Sequence, residues 1–303
     1  MMEPSSINQE TIPPDHHSGY VSLVGKPNVG KSTLMNALLG RKLSIVTPKA
    51  QTTRHRILGI FSDETTQIIF LDTPGIITPR YKLQESMMHS VHGAIADADL
   101  VVFMADARQD HPDTLSLEQV GGRPAILAVN KIDLIQQEEA LPLVEQYTEL
   151  RAFEAVVPLS ALNGFNLDAL MEEIKKRLPP GPPFYPKDMI SEHPERFFVA
   201  EIIREKVFQQ YKQEIPYSTA VNIANYEERP DGKDLIEAEI VVERETQKGI
   251  LIGKGGRALK KVGTAARKDI EEFLDKGVFL KLFVKVRSDW RNRDVLLRSY
   301  GYR

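Results

Sequence analysis

Cysteine is absent from the 303-residue sequence. Disulfide bonds and thiolate metal sites are therefore excluded, and a reducing compartment such as the cytoplasm is expected. Long apolar runs are also missing, since no stretch approaches the ~18 residues of a membrane-spanning helix. Residues 1–17 are polar, contain three prolines and lack the apolar stretch of a signal peptide. We expect them to form a loose tail.

Proline interrupts the chain most strongly at one place. Residues 179–186 read PPGPPFYP, and five prolines with a glycine continue neither a helix nor a sheet ladder. The length of the chain suits about two domains. We therefore predict a first domain at 18–178, a semi-rigid linker at 179–194 and a second domain at 195–303.

The first part of the chain alternates apolar runs with helical patterns. Runs of this kind suit strands buried on both faces, and intervening helices suit parallel pairing. The predicted fold is α/β, a mostly parallel sheet covered by helices, with a hairpin formed by 56–62 and 66–71. Further strands are expected at 20–24, 100–106, 124–130 and 155–160, and helices at 33–39, 82–97, 136–151 and 167–178.

The second part predicts a smaller α+β domain with the element order α-β-β-α-α-β. A helix fits 195–213, and two strands fit 218–225 and 235–244. A short helical turn, a glycine loop at 253–256, a long helix to about Asp275 and a strand at 278–287 follow.

The net charge of −3 hides an asymmetry. Residues 244–303 carry 16 Lys/Arg and 7 Asp/Glu, a net charge of +9, so the rest of the chain carries −12. A basic end on an acidic body suits contact with an anion such as nucleic acid or an anionic membrane surface. A solvated helix face is the alternative.

Residues 25–32 read GKPNVGKS, a full match to the phosphate-binding pattern G-x-x-x-x-G-K-[ST]. In such a loop, backbone N–H groups and the N-terminus of the following helix face the phosphates. Lys31 is expected to neutralise the β- and γ-phosphates, and the Ser32 hydroxyl to bind Mg²⁺. This motif alone predicts a nucleoside triphosphate. The predicted contacts are Gly25, Lys26, Pro27, Asn28, Val29, Gly30, Lys31, Ser32 and Thr33.

Residues 130–133 read NKID and follow an apolar strand. The Asp133 carboxylate can accept hydrogen bonds from the N1–H and the exocyclic amine of guanine. Adenine lacks this donor pair and would leave the carboxylate unpaired, so GTP or GDP is the predicted ligand. Asn130 is expected to tie loops together, and Lys131 to lie over the base. The predicted base contacts are Asn130, Lys131, Ile132 and Asp133, together with Ser160, Ala161 and Leu162, where the Ala161 N–H would meet the guanine carbonyl.

Residues 72–75 read DTPG at the end of a strand. Asp72 is expected to hold Mg²⁺, directly or through water, and the N–H of Gly75 to sense the γ-phosphate. Such a loop is ordered with GTP and released after hydrolysis. In QTTRH (51–55), Thr53 is predicted to complete the Mg²⁺ shell, with Thr52 as the alternative. The predicted nucleotide contacts of the DTPG loop are Asp72, Thr73, Pro74, Gly75 and Ile76.

In this order, GKPNVGKS, QTTRH, DTPG, NKID and SAL (160–162), followed by a domain that contains GKGG, resemble the Era family of bacterial GTPases. The likeness covers nearly the whole chain from Gly19, including Trp290-Arg291-Asn292. It implies a P-loop GTPase domain, a type II KH domain, and binding of small-subunit ribosomal RNA near its 3′ end during assembly of the small ribosomal subunit. It also implies peripheral contact with the inner membrane, which salt-sensitive binding to liposomes would test. A monomer is expected.

The residue after DTPG predicts unusual catalysis. Many GTPases place a glutamine there to position the attacking water. Ile76 occupies this position, as in Era-like proteins, and cannot orient water, so slow intrinsic turnover is expected. Related GTPases with asparagine at the position of Asn28 bind K⁺ near the phosphates, although Asn28 alternatively only tolerates the tight loop geometry. The predicted catalytic residues are Lys31, Thr53, Gly75 and Asn28.

Residues 253–256 form a G-x-x-G loop between two helical segments. In KH domains such a loop clamps the backbone of about four nucleotides. Gly253 and Gly256 would permit close approach, and Lys254 would meet phosphate. Trp290 is expected either to stack on a base or to cap the domain. The predicted RNA contacts are Lys248, Gly253, Lys254, Gly255, Gly256, Arg257, Lys260 and Lys261.

Two other functions fit parts of the sequence. A non-enzymatic RNA-binding scaffold would hold a structural nucleotide with negligible turnover, and a single-turnover phosphate-release assay separates it from a GTPase. A phosphotransferase would use the phosphate loop. The NKID motif argues against this second alternative, because guanine selection suits a switch better than an ATP-dependent kinase.

Overall fold

A computed structural model describes residues 15–230 and 232–302. The first part forms a six-stranded sheet in the order β2-β3-β1-β4-β5-β6, in which β2 alone runs antiparallel to its neighbour. The predicted parallel sheet and its hairpin are thus confirmed. The strands are β1 (His17–Val24), β2 (Ile57–Ser62), β3 (Thr66–Asp72), β4 (Leu100–Asp106), β5 (Ala125–Asn130) and β6 (Ala155–Leu159).

Helices pack on both faces of this sheet, which explains why β3, β4 and β5 are buried along their full lengths. The helix at Thr114–Val120, α3, was not predicted, because seven residues are too few to show helical periodicity. The Asp113 side chain begins this helix by accepting a hydrogen bond from the Ser116 N–H at 3.2 Å. The helices are α1 (Lys31–Leu39), α2 (Lys82–Asp97), α3 (Thr114–Val120), α4 (Leu141–Leu150) and α5 (Leu167–Lys175).

The predicted tail, residues 1–17, overlaps the fold at its last residues. Residues 1–14 lie outside the described part of the chain, but His17 already belongs to β1 and pairs with Thr66 of β3. The preceding His16 is 7 % exposed, and its carbonyl accepts a hydrogen bond from the Gly181 N–H at 2.9 Å. The segment that enters the fold therefore includes residues that the sequence assigned to the tail.

The proline-rich segment lies along the first domain. The Gln67 side chain on β3 accepts hydrogen bonds from the N–H groups of Phe184 at 2.7 Å and Tyr185 at 2.9 Å. Further along, the Ile60 N–H donates to the Ile190 carbonyl at 2.9 Å. Residues 179–194 are thus fixed to the sheet by hydrogen bonds to its backbone and to the Gln67 side chain, which their composition does not reveal.

The second part has the predicted α-β-β-α-α-β order and adds a short C-terminal helix. Its sheet has the order β7-β8-β9, with β8 antiparallel to β7 and parallel to β9. The first helix of this part ends three residues earlier than predicted. The elements are α6 (Glu195–Gln210), β7 (Ala220–Glu227), β8 (Asp234–Val242), α7 (Glu245–Ile252), α8 (Arg257–Leu274), β9 (Val278–Val286) and α9 (Asp294–Ser299).

Periodicity explains how α8 packs on this sheet. Val262, Ala266 and Ile270 recur every four residues and are fully buried, so they form one apolar stripe. The opposite face of the helix is exposed and basic. A long amphipathic helix therefore covers the sheet and presents its charges to solvent.

The two parts of the chain share a hydrophobic cluster at the C-terminal side of the second domain. The α2 helix contributes Leu83 and Met87 to it. The second part contributes Ala220, Val241, Trp290, Leu297 and Tyr302. The helix that follows the DTPG loop is thus packed directly against the second domain. Over residues 15–230 and 232–302, no helix combines the length and the apolar character needed to cross a bilayer.

Candidate nucleotide and RNA sites

The phosphate loop connects β1 to α1 and depends on two glycines. Gly25 and Gly30 have φ angles of 148° and 110°, which other residues rarely adopt. A Cβ atom on Gly30 would lie 2.2 Å from Asn130 Nδ2, and one on Gly25 would lie 2.5 Å from the Met104 carbonyl oxygen. The glycines therefore allow the loop to pack against β4 and β5, in addition to leaving its N–H groups accessible.

Lys31 begins α1 and is 6 % exposed. Its Nζ donates to the carbonyl oxygens of Gly25 and Lys26, each at 2.9 Å. Burial lowers the pKa of Lys31 to about 8, although the charges of Asp72 and Asp113 act in the opposite direction. A phosphate beside this amine would favour its protonated form. The loop thus holds the amine on backbone carbonyls at the place where phosphate is predicted.

Three oxygen-bearing side chains meet beside the phosphate loop. Ser32 Oγ donates to Asp72 Oδ2 at 2.6 Å and lies 2.8 Å from Thr53 Oγ1. Burial raises the pKa of Asp72. Among the described residues, the buried Asp72 Oδ1 forms no hydrogen bond. Hydroxyl and carboxylate oxygens are the ligands that Mg²⁺ prefers, so this cluster fits the ion.

The structure distinguishes between the two threonines that the sequence left open. Thr52 Oγ1 donates to the Lys49 carbonyl at 2.7 Å and lies 2.6 Å from Thr47 Oγ1, which places it inside its own loop. Thr53 joins Ser32 and Asp72 instead. The geometry therefore favours Thr53 as the residue that faces the metal site.

Asn130 connects three loops at the other end of the site. Its Nδ2 donates to the Val29 carbonyl at 2.8 Å, and its Oδ1 accepts from the Ala161 N–H at 2.9 Å. The side chain is 2 % exposed. It therefore fixes the phosphate loop, the NKID loop and the SAL loop relative to one another, which is the tie that the sequence predicts.

Lys131 extends across the mouth of the site. Its Nζ donates to the Asn28 carbonyl at 2.6 Å and to Asp106 Oδ2 at 2.8 Å. Burial alone would raise the pKa of Asp106, but hydrogen bonds from Arg108 and Lys131 outweigh it and lower this pKa to about 2. The Asp106 carboxylate thus stays ionised at neutral pH and holds Lys131 in place.

The DTPG loop packs against the phosphate loop. The Ile76 N–H donates to the Gly25 carbonyl at 3.2 Å, and a Cβ atom on Gly75 would lie 2.5 Å from Pro27 N. The Ile76 side chain is 4 % exposed and packs in a hydrophobic cluster with residues of α2. It therefore points into the core, and an apolar side chain there has no group with which to orient a water.

A glycine loop joins α7 to α8 in the second domain. Gly253, Gly255 and Gly256 have φ angles of 69°, 59° and 76°, so the backbone turns through left-handed conformations. A Cβ atom on Gly253 would lie 2.7 Å from the Cβ of Ala258. Lys254 is exposed at the tip of the loop. A Cβ atom on Gly255 or Gly256 would meet nothing within 4 Å, so a negatively charged backbone can approach the loop there.

A groove of about 450 Å³ opens beside this loop, between α8 and β9. Its lining combines apolar and basic side chains, a mixture that suits nucleic-acid bases and phosphates respectively. Lys260 and Gly256 line it, and Arg257 and Lys261 lie on the adjoining exposed surface of α8. The other lining residues are Lys233, Leu259, Gly263, Thr264, Arg267, Val278, Phe279, Leu280 and Leu282.

Two protein families match this chain. Residues 20–131 match the family described as 50S ribosome-binding GTPase, and residues 214–291 match the KH domain. The chain is 51 % identical over 295 residues to GTPase ERA1, chloroplastic, of Zea mays, which covers 95 % of this chain and 71 % of that protein. It belongs to the Era family of GTPases.

Solved structures of Era agree with this assignment. Era of Aquifex aeolicus bound to GDP and AlF4⁻ superimposes with a TM-score of 0.90 at 42 % identity, covering 94 % of this chain and 99 % of that chain. Era in complex with MgGDPNP and nucleotides 1506–1542 of 16S ribosomal RNA gives a TM-score of 0.91, also at 42 % identity, over 95 % and 99 %. This Era-family chain is a GTPase, so the scaffold and phosphotransferase alternatives are set aside.

The nucleotide cavity of this Era-family GTPase has a volume of about 500 Å³. The predicted residues that line it are Pro27, Asn28, Gly30, Lys31, Ser32, Thr33, Thr53 and its alternative Thr52, Thr73, Gly75, Asn130, Lys131, Asp133, Ser160 and Leu162. Those that do not line it lie in the core, behind the loops or on their outer sides, and they are Gly25, Lys26, Val29, Asp72, Pro74, Ile76, Ile132 and Ala161. For the lining residues and these eight alike, contact with nucleotide stays a prediction.

Sequence analysis missed several residues at this cavity. Arg108 has only a weak sequence signal. It follows the carboxyl end of a buried strand, and ligands of parallel sheets bind at that edge. Residues 45–48 belong to no recognisable motif. The missed lining residues are Ile45, Val46, Thr47, Pro48, Gln51, Arg108 and Leu134.

The KH groove was also only partly predicted. The G-x-x-G motif predicted the loop but not the residues of α8 that line the groove with it. Gly263, Thr264 and Arg267 are three, four and seven residues beyond Lys260, so helical spacing places them on the same face of the helix. This spacing could have predicted them from the sequence. Lys248 lies 3.9 Å from the Glu245 carboxylate, and Lys248 and Lys254 do not line the groove. For these two lysines, as for Gly253, Gly255, Gly256, Arg257, Lys260 and Lys261, contact with RNA stays a prediction.

Trp290 caps the second domain of this Era-family protein. The side chain is fully buried, and its Nε1 donates to the Ser218 carbonyl at 2.9 Å. The ring stacks with Tyr302 at a centroid distance of 6.0 Å. The buried ring has no face free for a base, so the structure supports the capping alternative.

Proposed function

We propose that this Era-family GTPase binds Mg²⁺ and GTP in the cavity and uses its KH domain to bind small-subunit ribosomal RNA during assembly of the small subunit. The observation that carries the proposal is the pairing of the cavity with the open glycine loop and basic groove in one chain. The similar Era that was crystallised with MgGDPNP and 16S ribosomal RNA supports it.

Each part of the nucleotide has a complementary group in the cavity or, for Asp72, directly behind its lining. Ser32, Thr53 and Asp72 would hold Mg²⁺, which supplies positive charge to the β- and γ-phosphates. Lys31 adds a second positive charge, and the Gly75 N–H would contact the γ-phosphate. Asp133 would select guanine. Because Ile76 points into the core, hydrolysis depends on positioning and charge, and slow intrinsic turnover follows.

We further propose that Asn28 helps to bind K⁺ beside the phosphates. Asn28 has a φ angle of 64°, and its Nδ2 donates to the Pro48 carbonyl at 3.1 Å. Hydrolysis should run at least about tenfold faster in KCl than in NaCl at equal ionic strength, since a cation would stabilise the charge that develops on the phosphates. The Asn28→Gly variant keeps the positive φ angle and should lose this dependence. Equal rates in the two salts would contradict the K⁺ site.

The RNA site is tested by reversing charge at the groove. The variant Lys254→Glu/Lys260→Glu should lose at least about a hundredfold in affinity for a 3′-terminal small-subunit rRNA fragment, because phosphate contacts dominate such binding. GTP affinity should stay unchanged. The matched control is Lys175→Glu/Lys176→Glu, which makes the same charge change on the first domain, where the lysines pair with Asp63 and Glu173. Equal losses in both double variants would show that net charge, not the groove, binds the RNA.

The remaining expectations stay predictions from the sequence. They are the monomeric state, the cytoplasmic location and the contact with an anionic membrane surface. The last of these rests on the charge of residues 244–303.

A further inference from the structure

The loop that carries Thr53 is held from its far side by the second domain. Arg204 on α6 donates from Nη2 to the Thr52 carbonyl at 2.6 Å. Its Nε donates to Glu201 Oε1 at 2.8 Å. Both side chains are almost fully buried. A buried ion pair thus aims a guanidinium at the peptide bond that joins Thr52 to Thr53.

Arg54 directly follows Thr53 and extends from the first domain into the second. Its Nη1 donates to the Thr219 carbonyl at 2.7 Å and its Nη2 to the Pro216 carbonyl at 2.9 Å. The side chain is 2 % exposed. The backbone is therefore fastened to the second domain immediately before and immediately after Thr53, whose Oγ1 faces Ser32.

Further contacts along the same loop end on the same helix. Glu205 Oε1 on α6 accepts a hydrogen bond from the Val46 N–H at 3.1 Å. Lys49 Nζ donates to the carbonyls of Phe208 and Tyr211 at the C-terminal end of α6, where a cation complements the unpaired helix carbonyls. The α6 helix therefore holds residues 46–54 at several positions.

Buried charged side chains are not needed merely to hold the two domains together. Well-packed apolar side chains join surfaces without the desolvation cost of buried charges. A guanidinium differs because its donors form a rigid planar fork, which fixes the position of a carbonyl oxygen. The charges of Arg204 and Glu201 are placed next to a predicted metal ligand, where an error of about 1 Å is costly for catalysis.

We propose that Arg204 is a positioning residue for GTP hydrolysis. By holding the Thr52 carbonyl, it places Thr53 toward Mg²⁺ and the γ-phosphate, so the nucleotide site is complete only while α6 is docked. This inference rests on the proposed metal role of Thr53. Because GDP lacks the γ-phosphate, Arg204 contributes to the binding of GTP and not to that of GDP.

The same helix also reaches the RNA loop. Tyr211 Oη, directly after α6, donates to the Leu251 carbonyl at 2.7 Å, and Gln210 Nε2 donates to the Ala258 carbonyl at 2.9 Å. Leu251 and Ala258 lie on the two helices that flank the glycine loop. The α6 helix thus contacts both helices, and any coupling between GTP and RNA that runs through it would be reciprocal.

The test removes both buried charges together, since loss of Arg204 alone would leave Glu201 unpaired and destabilise the fold. In the variant Glu201→Gln/Arg204→Met, kcat should fall about 10- to 100-fold. Affinity for the non-hydrolysable analogue GDPNP should fall about tenfold, as is typical of coupling between sites, while GDP affinity changes less than about twofold. The control Lys82→Ala/Asp294→Ala removes an exposed interdomain ion pair with an N–O distance of 2.6 Å and should change none of these values.

Two further variants separate the possible failures. Arg204→Lys keeps the charge opposite Glu201 but loses the fork, so it should fold normally, as thermal melting would show, and still lose GDPNP affinity. Parallel losses of GDP and GDPNP affinity would overturn the positioning role. If Thr53→Ala weakens GDPNP binding and neither Arg204 variant does, the inference about Arg204 is wrong. If Thr53→Ala leaves GDPNP binding intact, the metal role of Thr53 in the proposed function is wrong.

Discussion

Replacing Asp133 by asparagine should change the base that this Era-family GTPase binds from guanine to xanthine. Asp133 is exposed at the cavity, with Ser160 and Leu162 also in its lining. Its carboxylate would accept two hydrogen bonds from guanine. An asparagine keeps one acceptor for N1–H but turns a donor toward the exocyclic amine, so two donors would face each other. A carbonyl at that position, as in xanthine, restores the pair.

The expected effect is large because sites built around hydrogen bonds reject mismatched ligands by about 10⁴–10⁵. We expect GDP affinity to fall by about three to five orders of magnitude and xanthosine diphosphate to become the preferred ligand. Titration of the two diphosphates by calorimetry measures both changes. Asp110→Asn makes the same chemical change at an exposed position outside the cavity lining and should change neither affinity. A variant that still prefers GDP would refute the assignment of Asp133.

Replacing Lys31 by methionine should abolish most hydrolysis. Methionine keeps an unbranched apolar stem but removes the amine that Gly25 and Lys26 carbonyls hold beside the predicted phosphates. Removing one preorganised donor to developing charge typically costs about 10²–10³ in kcat. We expect a loss in kcat/KM of about 10³, because ground-state binding of the triphosphate is weakened as well.

The same loop offers a matched control for this substitution. The Lys26 side chain is 46 % exposed and lies 3.7 Å from Asp113, so it points away from the cavity. Lys26→Met should change single-turnover hydrolysis by much less than Lys31→Met, because exposed ion pairs contribute little. Equal losses in the two variants would mean that the loop needs positive charge in general rather than the buried amine of Lys31.

The sequence predicted the elements whose signal is local. Buried strands appear as uninterrupted apolar runs, and the phosphate, DTPG and NKID loops each occupy a few consecutive residues. The order of these loops along a parallel sheet then indicates that they meet at one edge. This explains why the α/β fold, the second domain and the guanine cavity could be inferred before the structure was known.

The elements that were missed depend on contacts between distant parts of the chain. Arg54 looks like an ordinary polar residue of the QTTRH motif, and its partners lie more than 160 residues away. Arg204 is one of several charges on a helix. The hydrogen bonds of Phe184 and Tyr185 to Gln67 likewise have no local pattern. Thr52 and Thr53 are chemically identical, so only the backbone conformation separates them.

The single tryptophan of the chain lies where the two domains meet. Trp290 is fully buried against Leu83 and Met87 of α2, the helix that follows the DTPG loop. Its indole combines an apolar body with one polar N–H group that is already paired. Indole fluorescence responds to the polarity around the ring. The emission of Trp290 therefore reports separation of the two domains without a chemical label.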